Sequence, residues 1–569
     1  MVVKEIKTKQ LLKWVFSALL ILFLTGCEQQ QEKPNILIIM ADDMGFSDLG
    51  CYGGEVLTPN LDRLAQNGLR FTNFYNAARC CPSRASLLTG LYPHQTGLGY
   101  MTSVDYHLPG YRADLNEQCV TIAEVLKSEG YHTYMSGKWH VTHSLFEGGP
   151  SHTWPLQRGF DRFYGTLIAA GSYWDPITLM RDNEHIEPEG DFYYTEAISE
   201  NAADFIRESE PGEPFFLYTA YTAPHWPIHA RQEVIEDYAG RFSAGWEQLR
   251  LERYERMLEM GILDASWTLS PGDTAKSGNW EESSHKEWEQ RRMEVYAAMI
   301  DHIDQGVGQI LNALEEKEEL ENTLIFFLSD NGGEDLEHRN GEIGNSGRPW
   351  NIMVYVPLKT RDGREVIAGD IPGIMPGPDD TYQGYGQWAN LSNTPFRKYK
   401  TYVHEGGIST PFIVHWPEGI AARNEWREQT AHIIDLMPTC LEVAGAAYPS
   451  AFKGHSIKPV EGKSLLPVFK NMDSRHEALF WEHEGNRAVR KGKWKLVSEY
   501  PGNWELYDME KDRTELNDLS ADHPERVLEL EALYHAWAEK CHVLPWSELE
   551  IQKIPTGKNP LIRPDSLLN

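Results

Sequence analysis

The sequence predicts an α/β fold: a large parallel sheet covered by helices on both faces, then a smaller C-terminal domain of mixed type. Three observations point there. Short apolar runs alternate with helix-period stretches through most of the chain, as buried parallel strands and their crossover helices do. The apolar residues of the longest such stretch recur at threes and fours, the mark of a core-facing helix. From about residue 475 the pattern changes, and ALFWEHEGNRAVRKGKWKLVSEY alternates and turns like antiparallel strands.

Taken in order, the N-terminus precedes the fold. Lys4, Lys7, Lys9 and Lys13 lead into an apolar run over residues 14–24, too short to span a bilayer comfortably and shaped like a secretory signal. It ends Leu24-Thr25-Gly26-Cys27, which resembles the bacterial lipobox, whose cysteine is lipidated. A plain signal peptide with a chance cysteine is the alternative. Residues 1–27 are therefore expected as a lipoprotein-type signal and 28–33 as a polar tether. The expected address is the bacterial cell envelope, either lipid-anchored at the outer membrane or cell surface, or periplasmic, with a lipid as the only membrane attachment.

Residues 34–474 form the main domain in this reading and 475–569 an α+β subdomain. Strands are expected at 34–40 (PNILIIM), 132–135, 214–219 (PFFLYT), 323–328 (TLIFFL) and 411–415 (PFIVH). Helices are expected at 59–67, 121–129, 195–208, 288–317 and 524–540. The first has Thr58 placed as N-cap and Pro59 at the first helical position. Segments 240–285 and 361–390 read as insertions, the second a long Gly/Pro/Asp/Tyr loop of the kind that often carries function.

A net charge of −31 argues against a nucleic-acid partner, which needs a basic stripe, and reads as a well-solvated surface. An anionic substrate would need a local basic pocket. Besides Cys27 the chain has Cys51, Cys80, Cys81, Cys119, Cys440 and Cys541, with no CxxC spacing that would suggest zinc. Disulfide pairing is left open.

In open parallel sheets, ligands bind outside the carboxyl ends of the strands. Those exits carry Asp42 and Asp43, then Lys138 and His140, then His225, then Asp330 and Asn331. Any one of these alone is a cap, a turn former or a packed histidine. Four exits together point to a site. Asp42, Asp43, Asp330 and Asn331 offer only hard oxygens, and carboxylates brought close repel unless a cation sits between them; Ca²⁺ suits such a set, with Mg²⁺ the second choice. Cys80 sits just before a helix start at Pro82, where a thiol would be activated. A thiolate beside a hard-oxygen calcium site is mismatched, and oxygen at position 80 would fit better.

The stretch Cys80-Cys81-Pro82-Ser83-Arg84-Ala85-Ser86-Leu87-Leu88-Thr89-Gly90 resembles the C-x-P-S-R-x-x-x-x-T-G signature of type I, formylglycine-dependent sulfatases. ILIIMADDMGFSDLGCYGG, SGKWH, LSDNG and PFRKYKTYVHEGGISTPFIVHWP resemble further motifs of that family in the expected order; GSYWDP and FWEHEGNRAVR resemble bacterial arylsulfatase-type members. The resemblance implies an alkaline-phosphatase-like fold: a large mixed sheet between helices and a small C-terminal antiparallel sheet. It implies that Cys80 is oxidised to formylglycine by a formylglycine-generating enzyme, while Cys81 is only the variable position. It implies one Ca²⁺ held by Asp42, Asp43, Asp330, Asn331 and position 80. The hydrated aldehyde would attack sulfur and form a covalent sulfate ester, Arg84 would hold the gem-diol, and Lys138 and Lys400 would bind sulfate. Lys400 or His225 would protonate the leaving alcohol, and His140 would take the second gem-diol proton. Lys398 rivals Lys400. His483, Trp174 and the 361–390 loop are candidates to shape the pocket. The expected substrates are sulfated saccharides. Two alternatives are a phosphonate or phosphate ester hydrolase of the same superfamily, and a non-catalytic glycan-binding lipoprotein.

Overall fold

The computed structural model describes residues 33–146, 149–273, 278–337, 359–474 and 476–551; the expected signal peptide, Cys27 and almost all of the tether lie outside these residues. The main domain is built on a ten-stranded sheet. Its strands are β1 (Asn35–Ala41), β2 (Leu69–Phe71), β3 (His132–Lys138), β4 (Arg162–Thr166), β5 (Leu179–Arg181), β6 (Glu184–His185), β7 (Phe215–Ala220), β8 (Thr323–Ser329), β9 (Phe412–His415) and β10 (Glu425–Arg427). They lie in the order β10-β2-β9-β8-β1-β7-β3-β4-β5-β6.

The centre is parallel, as the apolar runs predicted: β1 lies between β7 and β8, and β7 also pairs with β3. The edges are not. β9 runs antiparallel to both β8 and β2, and β5 runs antiparallel to β4 and β6, so the sheet is mixed. PFIVH reads as a buried strand in either direction, because burial on both faces removes the alternation that would report orientation.

Helices cover both faces. They include α1 (Pro59–Gln66), α2 (Cys80–Thr89), α3 (Ile122–Ser128), α4 (Tyr194–Arg207), α5 (Trp246–Glu259), α6 (Lys286–Glu316) and α7 (Leu436–Ala444). One apolar layer sets α4 and α6 against Leu37, Ile39 and Leu217; the other sets α2, α3 and α7 against Ile36, Ile38 and Phe216. Helix α3 starts on the capping box that Thr121 and Glu124 form. Helix α1 starts at Pro59 with Thr58 at the N-cap position, as expected, but the Thr58 side chain makes no cap hydrogen bond. The Asp304 carboxylate of α6 accepts instead from the Asn60 and Leu61 amides, at 3.1 and 2.8 Å. Within the 240–285 segment, α5 buries Arg253 against Asp48 at 3.0 Å.

The C-terminal sheet is a four-stranded antiparallel meander of β11 (Leu479–His483), β12 (Asn486–Lys491), β13 (Trp494–Ser498) and β14 (Glu505–Asp508). Helix α8 (Pro524–Cys541) packs on it, with Trp537 stacked on Phe480 at 5.3 Å. Among the described residues, no helix is long and apolar enough to cross a membrane.

Register decides where the strand exits meet. Met40 pairs with both Ala220 and Leu328, Ala41 with Ser329, and Gly137 with Ala220. The chains leaving β1, β3, β7 and β8 therefore emerge side by side. At Gly137 (φ +116°) a Cβ would stand 1.9 Å from the Ala220 carbonyl oxygen, so only glycine lets β3 and β7 close up beside Lys138.

Candidate active site

All the residues expected from the four strand exits, together with Cys80, Arg84 and Lys400, are buried around one spot. Cys80 is the first residue of α2 rather than the residue before it, so its side chain sits at the helix N-terminus. Asp43 and His140 hold left-handed φ values of 67° and 49° at the bends that follow β1 and β3.

The charged groups interlock. Arg84 donates from Nε and Nη2 to Asp330 Oδ2 at 3.0 and 2.9 Å, and from Nη1 to the Lys138 carbonyl at 3.0 Å. Lys138 Nζ pairs with Asp42 Oδ2. Lys400 Nζ bridges Asp43 Oδ1 at 2.8 Å and Glu334 Oε2 at 3.0 Å. Asn331 Nδ2 donates to Asp43 Oδ1 at 2.6 Å, and the Asp43 amide donates to Asp330 Oδ1 at 3.3 Å. His225 Nε2 stands 3.5 Å from Asp43 Oδ2, while its Nδ1 lies 2.7 Å from the Trp226 carbonyl.

Two oxygens in this set, Asp42 Oδ1 and Asn331 Oδ1, are buried with no hydrogen-bond partner. Buried carboxylates and amides left unpaired in this way are costly. Burial, reinforced by Asp330, pushes the Asp42 carboxyl well above its usual range; burial also pushes Asp43 and Asp330 up, against the pull of Lys400 and Arg84 respectively. A hard divalent cation would resolve both features, and the donor set fits one. Atoms of Asp42, Asp43 and His225 lie within 4.8 Å of one another, whereas Asp330 is turned onto Arg84. His225, expected only as a proton donor, thus also faces the candidate metal centre.

Position 80 faces the same cluster. A hydrogen bond from Cys81 holds the Cys80 thiol well below its usual range against the effect of burial, and His140, Lys138 and Lys400 add to the lowering. Cys81 is pushed the other way by burial and by Cys80, so the two adjacent thiols differ in character. His140 hydrogen-bonds Cys80 and is lowered to about 4, mainly by burial; its Nδ1 has no partner. Burial and then Lys400 put His225 well below its ordinary value. Both rings are therefore neutral near neutral pH, able to accept a proton.

The geometry separates Lys400 from Lys398, which pairs with Glu499 at 2.7 Å and lies over the Tyr402 ring. At Gly332 a Cβ would stand 1.8 Å from the Gly406 carbonyl, and this close approach brings the Lys400 segment against Asn331. His483 is fully buried, stacked on Tyr100 at 6.1 Å. Trp174 packs on Tyr193 at 4.9 Å and under Arg231, not on the cluster. The 361–390 loop seats Tyr382 against Trp226 at 5.4 Å, beside His225.

Sequence reasoning missed Glu334, Tyr218 and Arg79. Glu334 binds Lys400 and accepts from the Trp226 indole at 2.7 Å; with Lys400 and His225 outweighing burial, its carboxyl lies well below the usual range. It stands four residues after Asp330 in SDNGGE, so a count of carboxylates at that strand exit would have found it. Tyr218, 3.5 Å from Arg84, is hidden inside an apolar run. Arg79 donates to Thr401 Oγ1 at 2.5 Å and gives no signal beyond its neighbourhood. Beyond Lys400 and Arg79 opens a cleft of about 620 Å³. A larger one of about 840 Å³, around Trp267 and His476, contains none of the site residues.

A cluster of this kind at the carboxyl ends of parallel strands, with an activated side chain at a helix N-terminus facing it, is the arrangement of a hydrolytic active site. Comparison with known proteins narrows the class. Residues 34–446 match the sulfatase family model, and residues 396–535 match the model described as N-sulphoglucosamine sulphohydrolase, C-terminal. The chain is 30% identical to an arylsulfatase of Klebsiella aerogenes, over 77% of this chain and 92% of that one. It is 26% identical to an N-acetylglucosamine-6-O-sulfatase of Bacteroides thetaiotaomicron, over 88% and 86%. The solved structure of Ps i-CgsB in complex with k-i-k-neocarrahexaose superposes with a TM-score of 0.61 at 24% identity, over 89% of this chain and 93% of that one. The chain belongs to the sulfatase family, and is a sulfuric ester hydrolase.

Proposed function

We propose that this sulfatase cleaves sulfate esters of saccharides, using formylglycine formed from Cys80 and one calcium ion. The observation that carries the mechanism is the position of Cys80: first in α2, flanked by His140, and facing four hard-oxygen residues, with Lys138 and Lys400 alongside. The N-acetylglucosamine-6-O-sulfatase relative supports the saccharide class. Oxidised by a formylglycine-generating enzyme and hydrated, position 80 supplies an oxygen nucleophile that divides sulfate transfer into two steps. Asp42, Asp43, Asp330 and Asn331 would hold the calcium ion, which would supply Lewis-acid stabilisation of sulfate charge.

The chain's own groups have separable tasks. Arg84 fixes Asp330 and the Lys138 carbonyl, and so sets the floor of the site. Lys138 and Lys400 balance sulfate charge. Lys400, held protonated by Asp43 and Glu334 and standing beside His225, delivers a proton to the departing alcohol, and His140, neutral beside position 80, accepts one from it. The lipobox-like Leu24-Thr25-Gly26-Cys27 supports a lipid anchor in the cell envelope; Cys27→Ala would then leave the protein soluble after fractionation.

The test compares the native chain with Cys80→Ala and His225→Ala on sulfated disaccharides, with calcium present and conversion at residue 80 checked by peptide mass. Cys80→Ala should lose turnover by at least about 10⁴-fold while keeping the fold. Full activity in Cys80→Ala, or a native-host protein that keeps an unmodified thiol and still turns over, would overturn the mechanism.

A further inference from the structure

The cleft beyond Lys400 does not end the groove. Tyr500 and Trp546 line it, and both also line a second cavity of about 240 Å³. The turn between β11 and β12 edges both as well, with Asn486 on the first and Gly485 and Arg487 on the second. From the buried cluster the groove therefore runs past Lys400, over two aromatic rings, and into a second chamber. Tyr500 is 37% exposed, and its ring lies against Gly485, where a Cβ would come within 2.6 Å of it. Its backbone amide donates to Asn486 Oδ1 at 3.1 Å, and Trp546 leans on Tyr100 at 5.1 Å. Aromatic faces set among polar groups suit the apolar face and hydroxyl rim of a sugar ring.

The second chamber holds a cation that no carboxylate among the described residues pairs with. The Arg487 guanidinium lies over the Trp504 ring at 4.3 Å. Glu482 stands directly across the ladder from it, yet is committed to His94 at 2.8 Å and to the Gly485 amide at 2.7 Å. On its other side Ser498 donates to the Gly502 carbonyl at 2.9 Å. Glu531 accepts from the Trp504 indole at 3.0 Å and lies 3.7 Å from His535. A guanidinium seated on an aromatic ring is held in place, and its charge and its fork of N–H donors stay available to an anion.

We propose, resting on the saccharide reading above, that the groove takes at least two sugar rings. The ring bearing the scissile ester sits in the cleft beside Lys400. The next ring sits in the second chamber, where Arg487 receives an anionic substituent on it, a sulfate or a carboxylate. Tyr500 and Trp546 bind the saccharide where it crosses between the two. The preferred substrate is then an oligosaccharide or polysaccharide with charge on the neighbouring ring, rather than a sulfated monosaccharide.

The experiment uses the full chain with residue 80 verified as converted. Its substrates are one sulfated monosaccharide and three disaccharides that carry the same sulfated ring beside a neutral, a carboxylated or a sulfated second ring. 4-Nitrophenyl sulfate serves as an aryl reference, and products are identified by mass. At low salt, kcat/KM for the two charged disaccharides should exceed that for the neutral one by on the order of tenfold, and added salt should narrow the gap. The neutral disaccharide should in turn exceed the monosaccharide severalfold. Arg487→Gln, checked as folded by thermal unfolding, should bring the charged disaccharides down to the neutral one, and Arg487→Lys should keep part of their advantage. Tyr500→Ala should raise KM for all three disaccharides more than for the monosaccharide. No advantage for a charged second ring, or an advantage that survives Arg487→Gln, overturns the second chamber's role and leaves the saccharide reading standing. Cleavage of the aryl ester with no saccharide turned over overturns both.

Discussion

Two buried charge clusters in this molecule behave in opposite ways. At the junction between the main domain and the small sheet, Lys495 lies 2.8 Å from Glu405 and 2.7 Å from Glu515, and Arg513 lies 3.0 Å from Glu405. Tyr75 donates to Glu405 at 2.9 Å. Two acids meet two bases, and despite burial the cations bring the Glu405 carboxyl down to about 2. The active-site cluster is equally buried, yet there burial pushes Asp42, Asp43 and Asp330 up against the pull of Arg84, Lys138 and Lys400. The same residue types at the same depth have a carboxyl held down by its partners in one place and three aspartyl carboxyls pushed up in the other. That contrast distinguishes an internal staple from a site built to take a cation.

The comparison can be broken first at the staple. Lys495→Met would leave Glu405 and Glu515 buried with Arg513 alone, and should cost about 3–5 kcal/mol in denaturant unfolding. A loss under about 1 kcal/mol would mean that the junction does not hold the small sheet.

Acid sharpens it next. Because Glu405 has a lowered folded value, its contribution is fully present above its ordinary value of 4.5 and is lost as pH falls through about 2. Stability measured in the native chain and in Glu405→Gln should therefore converge on acidification across that window, by on the order of 3 kcal/mol. Curves that stay parallel would contradict the pairing.

The smallest effect separates the rival lysines. Lys398→Ala removes a pair with Glu499 near the surface and should change stability by about 0.5 kcal/mol or less, with kcat/KM near native. Lys400→Ala should lower kcat/KM by on the order of 10²-fold or more. Equal losses from the two substitutions would end the distinction.

Much of this was legible before any coordinates. Parallel strands bury both faces and so leave continuous apolar runs, and the residues after PNILIIM, HTYMSG, PFFLYT and TLIFFLS include those gathered at the site. The direction of β9 was not legible, since orientation leaves no trace in a run buried on both sides, and β5 is too short to have been read as a strand at all. The start of α1 was legible, but the carboxylate that accepts from its first amides was not, because Asp304 lies 243 residues away from Leu61. Glu334 was legible in the sequence but passed over. Tyr218 was not, because its hydroxyl is a polar tip inside a strand read as hydrophobic. The staple was likewise invisible, since Glu405, Lys495 and Arg513 meet only through the packing of the small sheet on the main domain.

Calcium binding to the metal-stripped, full-length chain, followed by calorimetry and thermal unfolding, tests the central claim most directly. One ion per chain should bind and raise stability by about 2.7 kcal/mol at a hundredfold excess over Kd, with both responses lost in Asp42→Asn. A stripped protein, converted at residue 80, that binds no divalent cation and still hydrolyses sulfate esters at the full rate would contradict it.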